Sequence, residues 1–202
     1  AEKTGHVEVV GGKVMIQDTY TVSTDVGSAT GNTTFDGNVA IRGSVLAGFT
    51  VNATGNVHVH GAREAADTVS GGNVTIGEGM NGGSIIAEGD LKSKYLQNCR
   101  VEVGGNVYSD SVISCDLRCG ESLIVAGGRG TLMGGSCSAT HSIECANIGS
   151  RNTHVPTRIE VGLDPKVQGR LQEAPHEYEQ AANFIASLDN VIGMLSQLEA
   201  AK

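Results

Sequence analysis

The sequence predicts a mainly-β protein, a right-handed parallel β-helix with an N-terminal β cap and a C-terminal α-helix. Three observations carry this. A Gly-led motif recurs about every 17 residues. Apolar residues alternate inside each copy. The pattern changes to helical spacing after Gly162. The copies begin Gly37-Asn38-Val39-Ala40-Ile41, Gly55-Asn56-Val57-His58-Val59 and Gly72-Asn73-Val74-Thr75-Ile76. Gly89-Asp90-Leu91-Lys92-Ser93 and Gly105-Asn106-Val107-Tyr108-Ser109 follow, with weaker copies at Ser122-Leu123-Ile124-Val125 and Ser142-Ile143-Glu144-Cys145. A repeat this short holds no strand plus crossover helix. It fits one coil of a single-stranded solenoid, which buries its core by stacking on its neighbours. Seven coils at about 4.8 Å give a rod of about 34 Å, and right-handed winding is the default for parallel crossovers. The Gly-Asn and Gly-Gly steps are read as the positive-φ corners.

The elements follow in order. Residues 1–36 form the cap: two apolar runs, Val7-Glu8-Val9-Val10 and Val14-Met15-Ile16, flank a Gly11-Gly12 hairpin turn. Residues 37–162 form the β-helix. Before each Gly corner a second column alternates: Phe49-Val51-Ala53, Cys99-Val101-Val103, Cys115-Leu117-Cys119, Cys137-Ala139 and Thr157-Ile159-Val161. Its neighbours Arg100, Glu102, Asp116, Arg118, Arg158 and Glu160 face outward. Residues 163–202 are a linker and a helix, opened near Pro175. Tyr178, Ala181, Ile185, Leu188, Ile192 and Leu195 form a seam at steps of 3 and 4. The seam reads either as a coiled coil, giving a homodimer, or as an amphipathic helix packed on the β-helix.

Composition excludes several functions. Net charge is −8, which repels nucleic acid. No run approaches 18 apolar residues, so no transmembrane helix is expected. Aromatics make up 3% and Trp is absent, leaving few platforms for bases or sugars. Five cysteines, an odd number, point to a reducing cytoplasm. The chain opens at Ala1 without Met and reads as an excised fragment.

The run Phe35-Asp36-Gly37-Asn38-Val39-Ala40-Ile41-Arg42-Gly43-Ser44-Val45 leads into Gly48-Phe49-Thr50-Val51 and Ala53-Thr54-Gly55-Asn56-Val57. Later come Gly79-Met80-Asn81-Gly82-Gly83, then Gly127-Gly128-Arg129-Gly130-Thr131-Leu132-Met133-Gly134-Gly135 and Ile148-Gly149-Ser150 through Gly162. In this order, across residues 5–200, they resemble the bacterial flagellar assembly protein A family. The resemblance implies a β-helix followed by a coiled-coil segment, with a further N-terminal domain absent here. It implies a non-enzymatic cytoplasmic role in flagellar assembly or placement, at the pole of a polarly flagellated cell. It offers one partner, the glucose-specific regulatory component of the sugar phosphotransferase system. It brings no catalytic motif and no cofactor. The chain departs from the family in its cysteine richness and in its short, weakly charged helix.

Each candidate chemistry has a plainer reading beside it. Cys115-x3-Cys119 has nearly a zinc spacing, but residues four apart on a strand lie about 13 Å from each other. The column instead sets Cys99 beside Cys115, as buried thiols or as a disulfide that a cytoplasmic location disfavours. His58 and His60 share one strand face and lack a third ligand, since the next coil offers Thr75 and Gly77. Gly127-Gly128-Arg129-Gly130 lacks a phosphate-loop spacing and reads as a loop bulging between coils. Asp110, Asp116 and Glu102 are the carboxylates a polysaccharide-active β-helix enzyme would need. His141 and His154 stand alone as bases, without the six-residue rhythm of a hexapeptide acyltransferase. The reading is therefore a binding scaffold with no catalytic, cofactor or metal residues. Tyr178, Ile185, Leu188, Ile192 and Leu195 form its interaction seam. The alternatives are the polysaccharide enzyme and a self-assembling, bactofilin-like rod.

Overall fold

The structure is a computed structural model that describes residues 6–10, 13–149 and 155–162. The C-terminal seam and the Gly11-Gly12 turn lie outside the described residues. The first two strands, β1 (His6–Val10) and β2 (Lys13–Gln17), pair antiparallel, with Val10 opposite Lys13. Everything after them pairs parallel in one sheet that winds through successive coils.

The expected parallel β-helix is what the chain forms. Eight residues stack in register along one face: Tyr20, Val39, Val57, Val74, Leu91, Val107, Leu123 and Ile143. Six of them, Val39 through Leu123, are buried almost completely. Each buried Val or Leu is worth about 1.5–3 kcal/mol. A second face stacks Val26, Val45, Arg63, Met80, Leu96, Val112, Leu132 and Ile148. The third carries Val51, Thr68, Ile85, Val101, Leu117, Cys137 and Ile159. Each coil is therefore a triangle of short strands whose inward side chains fill one shared core. The parallel pairing begins at Thr19 and Thr33, inside the segment read as a cap.

Three Gly-Gly steps, 82–83, 127–128 and 134–135, have positive φ as expected, while most Gly-Asn steps do not. Among the glycines that open the coil copies only Gly37 has a positive φ, 144°. Glycine is needed along this column for space. Asn38 Oδ1 accepts the backbone N–H of Asn56 at 2.9 Å, and Asn56 Oδ1 accepts that of Asn73 at 2.8 Å. Asn73 passes the pattern to Asp90, Asp90 to Asn106, and Asn106 to Ser122. A Cβ on Gly55, Gly72, Gly89 or Gly105 would lie within 2.6 Å of one of these side-chain oxygens. The left-handed corner is a different column: Gly48, Ala65, Gly82, Asn98, Ser114 and Gly134. Three of its members are not glycine, with φ of 40°, 51° and 52° at Ala65, Asn98 and Ser114. Among the described residues, no helix is long and apolar enough to cross a membrane.

Candidate functional site

The corner between the first and second faces is tight in most coils and opens in one. Steps along the first face of 16 to 19 residues end in a step of 20, from Leu123 to Ile143. Part of the excess goes into the loop at residues 126–130. Gly127, Gly128 and Gly130 have φ of 107°, 48° and 54°, and the Gly130 N–H donates to Gly127 O at 2.9 Å. A Cβ at Gly127 would meet Asp110 Oδ1 at 2.3 Å, so the turn seats directly on the coil below. The bulged loop expected from the sequence is present, and it makes a ledge.

Grooves flank the ledge. The largest, about 1070 Å³, is lined by Lys94, Tyr95, Asp110, Ile113, Arg129, Met133 and others. A second, of about 360 Å³, holds Lys92, Tyr108, Ile124 and Ala126. A third, about 430 Å³, lies on the far side of the loop against Glu144 and Cys145. Lys92, Tyr108 and Ile124 are register neighbours, so their side chains stack outward in one column. Tyr95 leans over Gly79, where a Cβ would be 2.3 Å from its ring. Tyr95 and Tyr108 remain 37% and 39% exposed. The cations Lys92, Lys94 and Arg129 share this corner with Asp110 and Glu144. An open groove with aromatic anchors and mixed charge suits a protein surface. The residue spacing marked the loop, but the two tyrosines were missed, because outward positions carry no periodic signal.

The other candidates separate. His58 and His60 point outward on either side of the buried Val59, their ring centroids 4.5 Å apart and edge to face. Burial, together with the neighbouring His60, holds His58 below its ordinary pKa. Among the described residues no three His, Cys, Asp or Glu side chains gather as a metal site. Glu102 and Asp116 lie on the third face, opposite Arg118 and Arg100, while Asp110 sits at the ledge. His141 pairs with Glu121 at 3.0 Å on the surface, and His154 lies outside the described residues. Cys99 and Cys115 do meet, Sγ to Sγ at 3.3 Å. Cys119 and Cys137 are buried, and burial pushes each thiol up to about 12.

Comparison with known proteins agrees with this architecture. Residues 18–202 match the family described as the Flagellar Assembly Protein A beta solenoid domain, FapA. Searches of curated proteins and of solved structures return no match. The matched span runs from the first parallel strand through the last described coil, so the chain belongs to the FapA β-solenoid family.

Proposed function

We propose that this chain is a non-enzymatic binding scaffold that receives a regulatory protein partner at the ledge around residues 126–130. Family membership ties it to flagellar assembly. The observation that supports a docking role is the pairing of Tyr95 and Tyr108, both half-exposed, with Lys92, Lys94 and Arg129 at the corner that the 126–130 loop opens. The stacked coils form a stiff base, so the groove is preformed and little ordering entropy is lost on binding. The proposed partner is the glucose-specific regulatory component of the sugar phosphotransferase system, met in the cytoplasm at the cell pole. Self-association through the Tyr178–Leu195 seam would present two such grooves per dimer.

The test is a titration of the purified regulatory component into this chain by calorimetry, in its phosphorylated and unphosphorylated forms. Saturable one-site binding that weakens at least tenfold in Tyr95→Glu with Tyr108→Glu supports the reading. Binding unaffected by both substitutions moves the partner to another face. Absence of heat at high protein concentration removes this partner.

A further inference from the structure

One interior corner column reads Ala66, Gly83, Cys99, Cys115, Gly135 from coil to coil. The two cysteines are bracketed by glycines, so along this column each thiol has only the other to pack against. Asn98 and Ser114, both left-handed, precede them and aim both Cβ atoms the same way. The sulfurs stand 3.3 Å apart. Parallel neighbours in register lie about 4.8 Å apart at Cα, inside the window a disulfide needs. A small side-chain rotation brings the sulfurs to bonding distance.

A buried cation lies close by. Arg63 is fully buried, at 0% exposure. Its Nη2 donates to Ala66 O at 2.9 Å and its Nη1 approaches Met80 Sδ at 3.7 Å, while its Nε has no hydrogen-bond partner among the described residues. Between the Ala66 and Cys99 coils the column offers Gly83, which has no side chain, and Arg63 feels the charge of Asp67 first and that of Cys99 second. A buried guanidinium favours an anion facing it. Cys99 holds its proton well above the ordinary thiol range because it hydrogen-bonds Cys115 and is buried; Cys115 is held below that range by the same bond.

We infer that Cys99 and Cys115 are an oxidisable dithiol, which hydrogen peroxide converts to a disulfide stapling two adjacent coils, with Arg63 favouring the Cys99 thiolate that closes it. The Cys115 thiolate attacks one peroxide oxygen; the O–O bond breaks, leaving a sulfenic acid and a hydroxide that takes a proton to become water. Cys99 then loses its proton and attacks the Cys115 sulfur. The S–S bond forms, the S–O bond breaks, and the departing hydroxide takes that proton as a second water. Two thiols give up two electrons to one peroxide, and a small thiol reverses the product by exchange. With Cys99 and Cys115 only 4% and 1% exposed, the reaction waits on brief opening of the corner.

The experiment treats the folded Cys145→Ser chain, which lacks the one half-buried cysteine, with hydrogen peroxide. Tryptic peptides are then read without reduction. Cleavage after Lys94, Arg100 and Arg118 puts the two cysteines on separate peptides, 95–100 and 101–118. The expected product is these two peptides linked, the chain lighter by two hydrogens, and reversal by dithiothreitol. Linkage should form about tenfold more slowly in Arg63→Met, which removes the positive charge that favours the Cys99 thiolate. If that variant fails to fold, Arg63→Lys keeps the charge and should retain the wild-type rate. Linkage between other cysteines or between chains would overturn the inference, as would sulfinic acid without linkage or no change while the urea-unfolded chain oxidises. A wild-type rate in folded Arg63→Met, or a tenfold slower one in Arg63→Lys, would remove Arg63 from it.

Discussion

The side-chain oxygen of Asn56 occupies the place that a Cβ on Gly72 would take. The two would be 2.5 Å apart, and that oxygen already accepts the N–H of Asn73 at 2.8 Å. The recurring Gly-Asn pair is thus one device: the Asn of one coil satisfies the backbone of the next, and the Gly of the next leaves room for it. Gly72→Ala should destabilise the chain by about 1–3 kcal/mol in urea unfolding. Combining it with Asn56→Ala should give less than the sum of the two single losses, with a coupling of at least about 0.5 kcal/mol. Strict additivity would mean the clash is with the backbone alone.

Alkaline pH should weaken the fold through its buried thiols. Cys119 and Cys137 titrate near 12 when folded, against 9 unfolded. The folded chain therefore binds more protons between these values. This stability is complete below pH 9 and is lost as pH rises toward 12. Arg63, lowered to about 10 from 12.5 by burial, acts with the opposite sign, but only above about pH 10. Between pH 9 and 10 each thiol should cost about 1 kcal/mol. Urea midpoints across that interval should fall, and should fall less in Cys137→Ala.

Tyr95 and Tyr108 stand outside the core, so replacing them should leave stability nearly unchanged. Tyr95→Glu and Tyr108→Glu should each shift the unfolding free energy by less than about 0.5 kcal/mol. A loss above about 2 kcal/mol would make the tyrosines structural and the groove incidental.

The C-terminal seam is a proposal from sequence alone. Leu188→Glu with Ile192→Glu should convert a dimer to a monomer by light scattering. An unchanged mass would assign the seam to packing within one chain.

The repeat was legible because its signal is doubly periodic. The positions 39, 57, 74, 91, 107, 123 and 143 read from the sequence are register neighbours in the structure. Cys99 falls beside Cys115 for the same reason. Three features were hidden. Arg63 sits on the second face, where left-handed Ala65 breaks the in-out alternation two residues on, so nothing marked it as buried. The left-handed corner has no residue-type signature, since Ala65, Asn98 and Ser114 hold it alongside Gly48, Gly82 and Gly134. Val69 and Ile86 point outward and stay exposed while Thr68 and Ser70 point in. There Ser70 donates to Gly55 O at 2.8 Å, so a small polar residue fits the interior once hydrogen-bonded.

If the ledge acts in flagellar assembly by binding, Tyr95→Glu and Tyr108→Glu placed at the native locus of the bacterium that encodes this chain should reduce or misplace the flagella, counted per cell by electron microscopy, at an unchanged protein level. Normal number and position at that same protein level would show that the ledge plays no part in assembly.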